Sequence, residues 1–345
     1  MDKIMFGKFY TISNPFKNLG FFTWAKQINL LDDENINNII ALEPFAGTNN
    51  IPLLLSEAGI NLKWKCYDIN HKFDSENNIV NHYDDFPIEI RDTIKNYPAG
   101  YDYVFTNPPY LARNSASKKG MQFINTKYDD QYKECLSLML KNNKFIAAIV
   151  PETFITSNEP ELKSRLHTVI SLTMKMFDDT ECPVCLALFV DYKTEDFDIY
   201  RNDIFLGKYN QELKKYLENP RKKNLWKFND NDGEIWLTAI DNTKQNSISF
   251  RLANKNDKRV NISSRSYTRI KIPENMFSDV SQISSFIYEL NLYLEEYRQK
   301  TFDVFLSSFK GLRQDNKYRR RLSWLEAKRI MDIVYEKKNW LTKRN

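Results

Sequence analysis

The chain has 345 residues, 42% of them hydrophobic, enough for one large domain or two ordinary ones. No apolar run reaches the roughly 18 residues a membrane span needs, and the start Met1-Asp2-Lys3-Ile4-Met5 lacks a signal-peptide layout, so a soluble, cytoplasmic protein without a membrane partner is expected. The net charge of +5 is uneven: residues 1–200 hold 20 Lys+Arg against 27 Asp+Glu, residues 201–345 hold 30 against 18, the footprint of a polyanion gripped by one half.

From residue 36 to 190, short apolar runs alternate with helical stretches. Residues 39–42 predict a strand, the loop 43–50 follows, and residues 51–58 predict a helix stopped by Gly59. Residues 62–67 predict a second strand ending at Asp68, and residues 101–106 another. Residues 129–140 predict a helix, and residues 144–150, 169–177 and 184–190 the closing strands. Strands alternating with helices argue a doubly wound, mostly parallel α/β sheet. The composition turns charged after residue 195, which places the boundary near 200 and a smaller α+β domain over 201–345. There, residues 234–240 and 247–252 read as strands. Residues 283–309 carry apolar side chains at helical spacing, and Ser323-Trp324-Leu325-Glu326 is a capping box opening a last helix. The segment before that box, with Arg313, Lys317, Arg319, Arg320 and Arg321, reads as a loop.

Cys182-Pro183-Val184-Cys185 has the spacing of half a zinc site, but no second pair exists and His71, His82 and His167 show no ligand spacing. Core thiols and no metal are expected. The first strand-to-helix turn, Glu43-Pro44-Phe45-Ala46-Gly47, lets a backbone approach a ligand closely. It carries neither a P-loop nor G-x-G-x-x-G. Asp68, at the second strand's end, can accept both hydroxyls of a ribose. Asp85, favoured over Asp84, can accept from an adenine amino group, and Phe86 can stack on the ring. An adenosine moiety without phosphate fits this set.

Asn107-Pro108-Pro109-Tyr110 closes the strand 101–106. Two prolines in a row fix the turn and keep Asn107 out of the helical region. An exocyclic amino group is a poor nucleophile because its lone pair is delocalised. Two acceptors, the Asn107 side-chain oxygen and the Pro108 carbonyl, can draw such a group toward tetrahedral geometry. Tyr110 can stack on the base.

In this order the motifs resemble the gamma class of S-adenosylmethionine-dependent DNA N6-adenine methyltransferases. Gly7-Lys8-Phe9-Tyr10-Thr11 resembles the N-terminal cofactor motif, and residues 42–47 the main cofactor loop. Asp68, Asp85 and Phe86 match the ribose and adenine positions. Asn107 to Tyr110 match the catalytic motif, with Pro109 beside the cofactor. Residues 150–154 resemble a later strand-end motif, and Phe177 leads the strand region whose aromatic flanks the flipped base. Two positions depart from the pattern: Asn49 stands for the usual second glycine of the loop, and Ile12 follows Thr11 where proline is common.

The resemblance implies a class I methyltransferase-like domain over 1–200 and a DNA target-recognition domain over 201–345. It implies S-adenosylmethionine as cofactor, N6-methyladenine in double-stranded DNA as product, base flipping, a monomer on DNA, and a cognate restriction endonuclease as partner. Arg265, Arg269, Arg313, Arg319, Arg320 and Arg321 are the expected contacts to the DNA backbone. Tyr110→Phe is expected to be mild. An RNA adenine or protein glutamine methyltransferase stays open, as does a non-catalytic DNA-specificity subunit.

Overall fold

The computed structural model describes residues 14–32, 36, 38–69, 86–173, 176, 182–261, 265–315 and 317–338. The N-terminal part begins with helix α1 (Leu19–Gln27) and is built on strands β1 (Ile40–Glu43), β2 (Lys63–Asp68), β3 (Ile88–Ile90), β4 (Tyr103–Thr106), β5 (Phe145–Pro151), β6 (Leu166–Ser171), β7 (Val184–Phe189), β8 (Asp198–Arg201) and β9 (Ile204–Lys208). They form one sheet in the order β3-β2-β1-β4-β5-β7-β6-β8-β9. β1 to β5 run parallel, and β7 lies antiparallel between β5 and β6. Helices α2 (Asn50–Glu57), α3 (Arg113–Lys118) and α4 (Gln131–Asn142) occupy the crossovers. This is the class I methyltransferase-like, Rossmann-type α/β fold that the alternating pattern predicts.

β7 is buried throughout, and so are Ile146 to Val150 of β5. A central strand covered on both faces reads as a continuous apolar run, which is why these two were legible. Trp24 of α1 packs edge-on to Phe105 of β4 at 6.3 Å between ring centres, fixing that helix over the middle of the sheet. Cys66, Cys135 and Cys185 are buried free thiols.

The chain divides into two units at Met1–Glu212 and Leu213–Asn345. The break falls later than residue 200 because β8 pairs with β6 and β9 folds back on β8, so both belong to the first sheet. Neither strand was anticipated.

The second unit holds an antiparallel sheet in the order β10-β13-β11-β12, from β10 (Lys227–Phe228), β11 (Ile235–Thr238), β12 (Ser249–Leu252) and β13 (Tyr267–Lys271). A hairpin follows, β14 (Ser307–Leu312) and β15 (Tyr318–Arg321), with helices α5 (Val280–Thr301) and α6 (Trp324–Lys338). Two expectations are corrected here. The helix drawn to residue 309 stops at Thr301, because Phe302 and Asp303 turn left-handed at φ 47° and 62°. The arginine-bearing loop is instead the β14–β15 hairpin. Ser323 does cap α6, accepting from the Glu326 amide at 3.2 Å.

Asp241, wholly buried, organises this unit. Arg298 grips its two carboxylate oxygens at 2.9 and 2.7 Å, and the Ser247 amide donates at 2.7 Å. Burial alone would raise the Asp241 carboxyl, but the Arg298 hydrogen bonds and charge outweigh it and hold the group below its ordinary value. Removing one partner of such a pair strands the other without compensation. Arg298→Ala is therefore expected to cost about 3–5 kcal/mol. Urea titration of the folded chain measures this, and a loss under about 1 kcal/mol, the worth of an exposed pair, would contradict it.

Candidate functional site

The carboxyl ends of β1, β2 and β4 meet at one edge of the first sheet. β1 and β4 are neighbours whose connections leave in opposite directions, so this edge is the switch point where open α/β sheets hold ligands. The loop after β1 is shaped by two left-handed residues, Gly47 at φ 55° and Asn49 at φ 66°. Asparagine tolerates that conformation better than most residues, so it can serve in place of the absent glycine. The Asn49 side-chain amide donates to the Phe86 carbonyl at 2.5 Å, tying the loop to the segment before β3.

Glu43 ends β1 with no exposed surface. Its Oε1 accepts from the Phe45 amide at 3.0 Å and from the Thr106 hydroxyl at 2.5 Å. The second bond joins residues 63 apart in sequence and brings the loop after β1 to the turn after β4. Glu43 Oε2 is buried with no hydrogen-bond partner among the described residues. Burial pushes the carboxyl up to about 8, against the lowering effect of the Thr106 and Phe45 bonds. Asp68 ends β2, and its Oδ2 accepts from the Gly47 amide at 3.0 Å. The Ala46 amide donates to the Tyr67 carbonyl at 2.8 Å, and the Thr93 hydroxyl to the Pro44 carbonyl at 2.8 Å.

The structure thus brings together Glu43, Pro44, Phe45, Ala46, Gly47, Asp68 and Phe86, with Asn107 following Thr106 directly. Asn107 and Pro109 are half-buried and Pro108 is buried. Tyr10, Thr11, Asp85 and Phe177 lie outside the described residues. Sequence reasoning missed Thr106, Thr93 and the Asn49 side chain. Thr106 had a signal, since it is the hydroxyl immediately before the motif at the end of an otherwise apolar strand.

Tyr110 differs from expectation. Its ring is only 8% exposed and lies edge-on to Tyr132, 6.2 Å between centres at 88°. Its hydroxyl is shared between the Ile149 carbonyl, at 2.7 Å, and Asn107 Oδ1. The ring is therefore not an open stacking face in this conformation, because the buried Ile149 carbonyl and the half-buried Asn107 amide oxygen hold the hydroxyl inward.

The six arginines separate by strand period. Tyr318 to Arg321 form β15, where side chains alternate between faces. Arg320 points inward, 1% exposed, and donates to the Leu306 carbonyl at 3.2 Å. Arg313 is 8% exposed and pairs with Asp315 at 2.6 Å. These two are structural cations and are withdrawn as contacts to a nucleic-acid backbone, since their donors serve the unit's own acceptors. Arg265 is exposed, while Arg269, Arg319 and Arg321 are half-buried.

No family model matches the sequence, and no curated protein matches it. Solved structures do resemble it. A type I restriction-modification system methyltransferase subunit from Streptococcus thermophilus is 16% identical over 55% of this chain and 47% of its own, with a TM-score of 0.38. A putative class I S-adenosylmethionine-dependent methyltransferase from Listeria monocytogenes is 12% identical over 54% of this chain and 65% of its own, at 0.36. A putative RNA methyltransferase from Pyrococcus horikoshii is 16% identical over 56% of this chain and 91% of its own, at 0.36. The chain thus spans about half the length of the first of these and under two thirds of the second.

Glu43 provides a test of the site. From 4.5, its ordinary value, to about 8, the folded chain keeps a proton that the unfolded chain has lost. Stability therefore falls as pH rises through that window, by at most about 1.4 kcal/mol per pH unit. Glu43→Gln should remove the fall, so the variant gains on the parent between about pH 5 and about pH 8. Denaturation midpoints across that range measure it, and parallel profiles would refute the buried carboxyl.

Proposed function

We propose that the chain is an S-adenosylmethionine-dependent DNA adenine-N6 methyltransferase of the gamma class. The observation that carries the reading is the Glu43–Thr106 hydrogen bond, which joins the loop after β1 to the Asn107-Pro108-Pro109-Tyr110 turn at the switch point of the sheet. The residues there fit the cofactor. A buried carboxylate oxygen without a partner among the described residues calls for a donor, and a cationic amino group is a donor that also lowers the cost of ionising Glu43. Asp68, anchored by the Gly47 amide, would take the ribose hydroxyls, and Phe86 would flank the adenine ring. Residues 44–47 and Pro109 would line the space between them. The bound cofactor supplies an electrophilic methyl group on a sulfonium.

The chain's own part is positioning and acceptance. Asn107 Oδ1 and the Pro108 carbonyl accept the two N–H bonds of the substrate amino group and localise its lone pair. An amide oxygen carries two lone pairs. The Tyr110 hydroxyl uses one and fixes the plane of the Asn107 amide. Tyr110→Phe is accordingly no longer expected to be mild, because it frees that plane. The loss of one hydrogen bond of about 1 kcal/mol predicts a fall in turnover of about fivefold. The second unit, with its surplus of basic residues, would hold the DNA.

The test is transfer of tritiated methyl groups from the cofactor to duplex DNA, RNA and protein in parallel, followed by nucleoside analysis. Label in N6-methyladenine of the duplex is expected. Asn107→Ala should lower turnover by about 100- to 1,000-fold, the usual cost of one preorganised polar group, with cofactor affinity by calorimetry largely kept. Label only in RNA or protein would overturn the DNA assignment. Cofactor binding without transfer to any of the three would overturn the enzyme.

A further inference from the structure

One face of the second unit's sheet, on which Trp236 and Ile240 are themselves buried and their arginine neighbours reach outward, carries a pattern that no motif announced. In register, Trp236 of β11 lies between Arg251 of β12 and Arg269 of β13. Four residues on, Ile240 bridges to Arg321 of the hairpin, and the Ala239 amide bonds to the Ser266 carbonyl, so the β11–β13 ladder runs on toward Arg265. Opposed residues of an antiparallel ladder share a face, and so do residues two apart on one strand. Arg251, Trp236 and Arg269 therefore form one rung and Arg265, Ile240 and Arg321 another, on the same side. The other side holds Ile235, Leu237, Phe250, Thr268 and Ile270, all buried.

Each rung is an apolar centre flanked by guanidiniums. The strand spacing puts the flanking pair about 10 Å apart, and the rungs about 13 Å apart along the strand. Trp236 is covered by Tyr267, 5.0 Å between centres at 13°, and by Arg251 at 4.9 Å. Its role is to stiffen the platform. Arg251 is neutralised by Asp257 at 2.5 Å. Arg265, Arg269 and Arg321 have no ion pair among the described residues. The Nε of Arg321 is buried without a hydrogen-bond partner among the described residues. Burial, and then the Arg265 charge, push its guanidinium down from the ordinary value. Two like charges set together beside an orphaned donor are an arrangement that an anion relieves.

We infer that this face docks the phosphodiester backbone of duplex DNA, with a phosphate seated between Arg265 and Arg321 and another at Arg269. The occupant follows from charge complementarity: three guanidiniums without an ion pair among the described residues, of which only Arg269 feels a nearby carboxylate, that of Asp257, suit a rod of single negative charges. The choice of duplex DNA rests on the proposed function, whereas the location of the face does not.

The experiment is binding of a fluorescent 20-base-pair duplex, followed by anisotropy across a salt series. Each lost phosphate contact should flatten the slope of log K against log salt by about 0.9. The pair Arg265→Gln and Arg321→Gln, and separately Arg269→Gln, should each flatten it by about one contact. The exposed Lys222→Gln with Lys223→Gln is the control and should weaken binding less. Melting temperatures check that each variant folds, and Arg265→Gln alone, on an exposed side chain, serves if Arg321→Gln does not. Unchanged slopes in variants that still bind cofactor would overturn the face and leave the methyltransferase reading standing. Loss of cofactor binding in the parent chain, with the slopes still flattened, would overturn that reading and leave the face. Tighter binding of an RNA duplex of equal length would overturn the choice of occupant.

Discussion

A carboxyl group placed out of water at the junction of two parallel strands sets the terms for the first unit. Glu43 is bound on one oxygen by Thr106 and Phe45 and left without a partner on the other among the described residues. Transferring an ionised carboxylate to such a place costs several kcal/mol, so the group keeps its proton through neutral pH instead. That is a stability penalty above its ordinary range, and it is held in place by the strands on either side. Penalties of this kind concentrate where a ligand later removes them. The Glu43–Thr106 bond also gives the edge its geometry, because it ties the turn after β4 to the loop after β1.

Much of this edge was legible in sequence because turns demand particular residues. Two left-handed positions in the loop call for glycine or asparagine, and Gly47 and Asn49 occupy them. Two consecutive prolines announce a rigid turn after β4 without any neighbour's help. The buried strands β5 and β7 announced themselves by composition. What stayed hidden depends on distant partners. β8 and β9 carry no strong pattern and exist because β6 offers an edge to pair with. The hydroxyl of Tyr110 turns inward to a carbonyl 39 residues away, which no local rule reports.

The second unit shows the same limit in its charges. A run of Arg319, Arg320 and Arg321 invites one reading for all three. Strand alternation divides them: Arg320 is buried and serves the Leu306 carbonyl, while half-buried Arg321 lies on the other face, opposite Ile240. Once the run is taken as a strand, the division follows from period two alone. The loop reading failed because Gly311 and the polar residues between the strands resemble an unstructured linker, and the pairing of Leu312 with Tyr318 is what makes them a hairpin. Arg298 and Arg313 are consumed by Asp241, Asp303 and Asp315, so the unit's surplus of positive charge overstates what is free to meet a polyanion.

Tyr110 joins these themes. Its hydroxyl orients the Asn107 amide, yet its ring occupies the interior, where it cannot stack on a base. The two roles are compatible if the ring moves when a base enters. Releasing it forfeits one hydrogen bond, about 1 kcal/mol, and one edge-to-face contact with Tyr132, about 0.5–1.5 kcal/mol. Extruding a paired base from duplex DNA costs a few kcal/mol, so opening the ring adds a comparable or smaller amount to the same step. On the proposed reading, the apolar surface that Tyr110 would expose on moving would be covered again by the incoming ring. On that same reading, an inward tyrosine is the resting arrangement of a pocket whose aromatic wall forms only together with its substrate.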